Sequence, residues 1–384
     1  MGELSSLRLS MGVTLFLVGF VFFLFLVLVD VVLAYSGIVF CNFFVLLLFA
    51  LLFIAIQFAM GPWLVKRSAH VDDKAEERAR YNPFLRETVE RLCKESGIPE
   101  PRIAVIENPE PNAFVFGVTA NGTYLVVHDS LLRMLTKEEV EAVLAHEVGH
   151  LKHKDCSVMT VVSSIPLLTY LLARGGFELM RHSRPRGSGK GSGGAILAII
   201  AIAAISYLVY LVTQLLVLYL SRSREFYADA HSAEVTRNPA GLQSALIKLM
   251  TGLSLYRDKE TPSALRAFYA MDPVKVEDDT MRYRQRMEEF DLNKDGVIDE
   301  KELEMAMQKE ARNPWRSANE LFSTHPNIYK RVLMLRRMEL DMEATGMGQK
   351  EELERPQTPA EKDFMAGPMH IGGGTKDADA SWKD

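Results

Sequence analysis

The chain has 384 residues, 48% of them hydrophobic, and a formal net charge of −5. That length and apolar content leave room for a membrane part beside a folded soluble part, and the small negative charge excludes nucleic acid as an expected partner. Cys41, Cys93 and Cys156 have neither disulfide-framework nor metal-type spacing, so the soluble part is expected in a reducing compartment.

Residues 11–60 are almost uninterrupted apolar sequence with Asp30 as the one charge. This is too long for one span of about 20 residues and too long for the core of a signal peptide. Tyr35-Ser36-Gly37 supplies a turn, so two helices are expected, near 11–34 and 38–60, with Gly61-Pro62 ending the second. Trp63 suits the interface, and Lys66-Arg67 marks the cytoplasmic side.

Residues 72–96 read as one helix with Leu85, Val89 and Leu92 on a face and Gly97 as the stop. Short β-type runs follow at 102–106, 112–117 and 123–127, and Asn121-Gly122 is a hairpin turn signal. A small antiparallel sheet is expected from them. Thr136-Lys137-Glu138-Glu139 has the form of a capping box opening the next helix.

That helix carries His146-Glu147-Val148-Gly149-His150. Residues i and i+4 share a helical face, so the two imidazoles can grip one metal ion, and Glu147 can take a proton from a water that the metal activates. A chance occurrence on a surface helix is the alternative. Val140, Val143, Leu144, Val148 and Leu151 weigh against it, because they make the helix apolar and unpaired polar groups are costly in a buried helix. Catalytic zinc takes three protein ligands and keeps one open position. The metzincin continuation is absent, since His153 and Cys156 stand where Gly and His would be needed. His153 is read as solvated or interfacial.

Two more apolar runs, 157–172 and 195–220, flank a loop rich in Gly, Ser and Arg. The first is short for a span. If both cross, the basic loop faces outward, against the positive-inside tendency; if neither does, they form a re-entrant or interfacial pair. Either way the flanking segments share one side. In Ser223-Arg224-Glu225-Phe226-Tyr227-Ala228-Asp229, Glu225 and Asp229 are again i and i+4. Glu225 could complete a zinc shell while Asp229 accepts the free N–H of a ligand histidine. A surface ion pair of Glu225 with Arg222 or Arg224 explains the residues equally. In Ser323-Thr324-His325-Pro326, Ser323 or Thr324 could cap a helix starting near Pro326, which leaves His325 unexplained.

Asn112-Ala113-Phe114, His146-Glu147-Val148-Gly149-His150, the 223–229 stretch, and Ser323-Thr324-His325-Pro326 followed by Arg331 together resemble the HtpX family of membrane zinc metalloproteases, relatives of the CAAX prenyl endopeptidases. The resemblance covers roughly residues 10–270 and 315–340. It implies an α-helical membrane protein with a zincin-like α+β metalloprotease domain, mostly α with the small sheet. One zinc per chain would be held by His146, His150 and Glu225, with Glu147 as general base, His325 stabilising the oxyanion and Asp229 behind a ligand. Arg331 would lie near the site or pair with a carboxylate there. Asn112, Ala113 and Phe114 would touch substrate on an edge strand, or else be core sheet. The implied activity is cleavage of damaged or misfolded membrane proteins, with unfolded membrane proteins and the bilayer as partners. The implied place is a multi-pass protein of the cell (inner) membrane with a cytoplasmic active site. Processing of prenylated C-termini is one alternative. A catalytically silent calcium-binding scaffold is another, opposed by the presence of Glu147 and all three ligands.

One stretch departs from that family. Residues 291–302 match the twelve-residue EF-hand loop: Asp291, Asn293 and Asp295 offer side-chain oxygens, Val297 its carbonyl, Asp299 a direct or water-borne contact, and Glu302 both oxygens. Calcium is therefore expected there, within an insertion at about 277–310; an acidic turn without metal is the alternative. The expected organisation is a membrane hairpin at 1–66, metalloprotease parts at 67–156 and 221–345 separated by the apolar pair at 157–220, and a disordered tail at 346–384.

Overall fold

The computed structural model describes residues 2–36, 43–119, 122–182, 192–253 and 321–346. The EF-hand loop at 291–302, the centre of the basic loop at 183–191 and the tail beyond Gly346 lie outside the described residues.

The first two helices are α1 (Gly2–Tyr35) and α2 (Phe43–Ser68). Helix α2 does not end at Gly61-Pro62 as expected; it runs through Pro62 to Ser68. Proline removes one backbone hydrogen bond, a loss that membrane helices tolerate. The single helix expected at 72–96 is two, α3 (Asp73–Arg80) and α4 (Pro83–Ser96). The break follows from Asn82, whose side chain caps the Leu85 N–H, with Pro83 in the first turn. Gly97 ends α4 in the left-handed conformation, φ 69°.

Strands β1 (Arg102–Ile106), β2 (Ala113–Phe116) and β3 (Tyr124–His128) form a sheet in the order β1-β3-β2. The hairpin pair β2–β3 is antiparallel, but β1 pairs with β3 in parallel, so the sheet is mixed rather than antiparallel. Every residue of β3 is buried and it takes the centre, leaving β1 and β2 as edges. Gly117 opens the β2–β3 turn at φ +115°, where a Cβ would lie 2.3 Å from the Gly122 carbonyl oxygen, so no other residue fits.

The remaining elements are α5 (Asp129–Met134), α6 (Lys137–Lys152), α7 (Asp155–His182), α8 (Ser192–Thr236), α9 (Pro239–Leu253) and α10 (Ile328–Ala344). The Thr136/Glu139 capping box opens α6 with both reciprocal hydrogen bonds in place. Helix α10 is capped by Asn327, not by Ser323 or Thr324.

Four segments are long and apolar enough to cross a membrane: Ser5–Tyr35, Phe43–Ser68, Asp155–Arg181 and Ile196–Thr236. The third is longer than the apolar run at 157–172 suggested, because α7 continues through Arg174 and Glu178. Helix α8 has 45 residues, about 68 Å at 1.5 Å per residue, against a hydrocarbon layer of about 30 Å. Its second half must therefore stand outside the bilayer, and it runs unbroken through the division expected at 220. Helix α8 packs along α7 and α1, and α2 along α7, around Val18, Phe25, Val162, Ile165, Val217 and Leu220. The soluble core gathers Leu85, Leu125, Val140, Leu144, Leu246 and Leu335 about α6.

Both hairpins leave from and return to the face that carries the sheet. Arg8 near the start of α1 donates to the Tyr227 hydroxyl on α8. Lys66 near the end of α2 donates to the Tyr124 hydroxyl on β3 at 2.8 Å. This geometry fits two crossings by each hairpin.

Candidate metal centre

Residues Ala142 to Gly149 of α6 are all buried, so His-Glu-x-x-His is not a surface accident. Gly149 sits where α6 meets α8; a Cβ there would lie 3.2 Å from the Ala228 Cα and 3.1 Å from the His231 ring. That close approach brings Glu225 over the two histidines.

His146 Nε2 lies 3.2 Å from His150 Nε2 and 3.7 Å from Glu225 Oε2, and His150 Nε2 lies 3.6 Å from Glu225 Oε1. A tetrahedral ion with bonds near 2.0–2.1 Å has ligand-to-ligand edges of about 3.4 Å, so the three observed edges bracket that value. The other ring nitrogens face carboxylates. His150 Nδ1 is hydrogen-bonded to Asp155 Oδ2 at 2.7 Å, and His146 Nδ1 lies 2.9 Å from Asp229 Oδ1, although out of line for a hydrogen bond. Carboxylates on Nδ1 favour the tautomer whose Nε2 lone pair points inward. Glu225 Oε2 is buried and accepts no hydrogen bond, which leaves a charged oxygen in need of a partner. Two imidazoles and a carboxylate with this geometry fit a zinc ion.

The arginines settle how Glu225 is used. Arg222 donates to the Leu321 and Ser323 carbonyls at 3.3 and 2.8 Å, and Arg224 pairs with Asp155 and donates to the His153 carbonyl at 2.9 Å. Glu225 instead faces Arg331, whose Nη1 is 3.3 Å from Oε2, and His325, whose Nδ1 is 3.4 Å from Oε1. Arg331 is 1% exposed and donates Nε and Nη2 to the two oxygens of Asp229 at 2.8 and 2.7 Å. Burial disfavours its charge, but Asp229 and Glu225 hold the guanidinium above its ordinary pKa.

Burial pushes the Glu147 carboxyl up to about 8; Glu225 adds to the rise, while His150, Arg331 and the Val115 backbone oppose it. Burial alone would lower His150, but the Asp155 hydrogen bond and Glu225 raise it to about 9, so metal uptake there displaces a proton. His325 is buried with neither ring nitrogen hydrogen-bonded, and it lines the cavity with Glu147 and Thr324. His153 stays out of the ligand group; its ring lies 4.2 Å from that of Tyr227.

Strand β2 runs beside this cavity, which Phe114 to Val118 line. Of the three residues expected at substrate, only Phe114 lines it; Asn112 and Ala113 are each 2% exposed beneath. The Asn112 carbonyl accepts from the His128 N–H at 2.9 Å, so the backbones of 112, 114 and 116 face β3 and those of 113, 115 and 117 face the free edge. Sequence reasoning missed Asp155. It lies five residues past His150, off the helical period, and reaches back only because Lys154 adopts a left-handed φ of 56°.

The model of peptidase family M48 matches residues 79–339. A protease HtpX homolog of Aeropyrum pernix is 33% identical over 300 residues, covering 77% of this chain and 86% of the relative. A protease HtpX homolog of Methanosarcina acetivorans is 32% identical over 333 residues, covering 86% and 94%. A crystal structure of S. mikatae Ste24p is similar with a TM-score of 0.42 at 18% identity, covering 81% of this chain and 61% of that one. Since the family match runs from α3 through the Arg331 helix, and four helices of membrane-spanning length accompany it, the chain belongs to peptidase family M48 and is a multi-pass membrane metalloprotease.

Proposed function

We propose that the chain is a zinc-dependent endopeptidase, with one zinc per chain, that cleaves damaged or misfolded membrane proteins at the cytoplasmic face of the cell (inner) membrane. The observation that carries this reading is the trio His146, His150 and Glu225, with edges of 3.2 to 3.7 Å, beside Glu147 in a cavity of about 430 Å³. His146, His150 and Glu225 hold the zinc. When bound, zinc acidifies water and polarises a peptide carbonyl. Glu147 accepts the proton of the attacking water and passes it to the leaving amine. His325 donates a ring N–H to the carbonyl oxygen as it gains charge. Asp229 and Asp155 orient the two imidazoles, and Arg331 fixes Asp229 and Glu225. The free edge of β2 offers its backbone to an extended peptide. Lys66 and Arg67 at the end of α2 support the cytoplasmic assignment.

The deciding experiment is cleavage of an unfolded membrane protein by the full-length chain in detergent. A chelator should abolish cleavage and added zinc should restore it; cleavage indifferent to the chelator overturns the reading. Asp155→Ala and Asp229→Ala should each weaken zinc binding by roughly 10–100-fold, as lost ligand-orienting contacts do. Competition with a chromophoric chelator measures this, and unchanged affinity in both variants would remove the carboxylates from that role.

Calcium binding at 291–302 rests on the residue pattern alone. A lone hand lacks the neighbour that orders it, so affinity in the range of about 10⁻⁷–10⁻⁵ M or weaker is expected. Calorimetric titration should give one site in the parent chain and none in Glu302→Gln. No heat at millimolar calcium would reduce the loop to an acidic turn.

A further inference from the structure

The metal-site cavity extends well into the membrane helices. It is lined by Gln57, Gly61, Pro62 and Val65 of α2, by Met159 and Ser163 of α7, and by Gln214, Val217, Leu218 and Ser221 of α8. On α2 and α8 these positions recur at helical spacing, so one face of each borders the cavity. A Cβ on Gly61 would meet nothing within 4 Å, so the space beside α2 is open. Gln57 and Gln214 both lie within segments of membrane-spanning length. Among the described residues, neither carboxamide has a hydrogen-bond partner. The other polar group of this wall with a recorded bond, Thr160, donates to its own helix at the Cys156 carbonyl, 2.6 Å away.

An unpaired amide at membrane depth is costly, and two of them converge on one cavity that leads to the metal site. A carboxamide both donates and accepts, as a peptide group does. A hydrocarbon or isoprenoid chain offers neither. Gln214 stands eleven residues before Glu225, about 16 Å along α8, which an extended chain covers in about five residues.

We propose that Gln57 and Gln214 are specificity-determining residues that hydrogen-bond the backbone of an uncharged polypeptide segment entering the cavity from the bilayer, about five residues from the bond that is cut. This rests on the peptidase reading above and names its substrate class: a chain whose apolar span begins close to the scissile bond.

The test uses the full-length protein with zinc in detergent and two substrates sharing one cleavage region. One carries an apolar span of about 20 residues joined about five residues away. The other is the soluble region alone. Gln57→Leu and Gln214→Leu should each raise KM for the span-bearing substrate by roughly five- to tenfold, the worth of a lost hydrogen bond. Gly61→Leu, which fills open space, should weaken the same substrate. In all three, kcat, cleavage of the soluble region and zinc content should match the parent. An unchanged KM for the span-bearing substrate in the double glutamine variant overturns the proposal, and so does equal loss on both substrates, which marks a structural role. If the zinc-loaded parent cuts neither substrate, the peptidase reading itself fails.

Discussion

Glu147→Gln is expected to keep its zinc and lose roughly 10²–10⁴-fold in turnover, the usual worth of a positioned general base. Glutamine matches the size and hydrogen-bonding reach of glutamate, so α6 and its packing should persist. The ligand atoms belong to His146, His150 and Glu225, so metal content should stay at the parent level. What disappears is the ability to take a proton. The site is built around that ability: Glu147 is 4% exposed, its carboxyl is pushed up to about 8 by burial, and Val115 of the β2 edge contacts it. Zinc content by metal analysis, measured beside cleavage of an unfolded protein, separates the two effects. Residual turnover near the parent level would exclude Glu147 as the base; loss of zinc would make it a structural residue.

Arg331→Met is expected to destabilise the soluble part by about 3–5 kcal/mol, because it strips the partner from buried charges. Asp229 is fully buried and receives two hydrogen bonds from this guanidinium, while Glu225 Oε2 has its Nη1 at 3.3 Å. With the arginine gone, two carboxylates remain close together in a water-poor interior. The unfolding midpoint in detergent should fall by roughly 10 °C. Arg331→Lys should recover part of the charge but not the two-pronged bond to Asp229. Combining Arg331→Met with Asp229→Asn should cost less than the sum of the single changes, since the second removes the charge that the first exposes. Strictly additive effects would mean that the pair is not coupled.

The local features of the chain were legible because their causes are local. The capping box at Thr136 and Glu139, the left-handed stop at Gly97 and the hairpin pairing of β2 with β3 depend on neighbours within a few residues, and the structure contains all three. The i, i+4 spacing puts His146 and His150 on one face of any helix they form. Expectations failed where a nonlocal partner decided. Pro62 reads as a stop, yet α2 continues through it. The apolar run ending near 220 reads as a boundary, yet α8 carries on through Glu225 and Asp229. Strand β1 pairs in parallel because the buried β3 takes the centre of the sheet, which strand composition does not reveal.

By itself, then, the sequence determined that there are long apolar helices, a buried helix with two histidines one turn apart, and acidic and basic residues at separated places along the chain. It left Glu225 divided between a metal ligand and a surface ion pair with Arg222 or Arg224. Only the tertiary structure decided, by sending Arg224 to Asp155 and Arg222 to the carbonyls of 321 and 323, and by bringing Arg331 across to Asp229 and Glu225. The physical reason is burial. Inside a protein each charge must find its partner in space, and residues a hundred positions apart compete for that place on equal terms with neighbours along the helix.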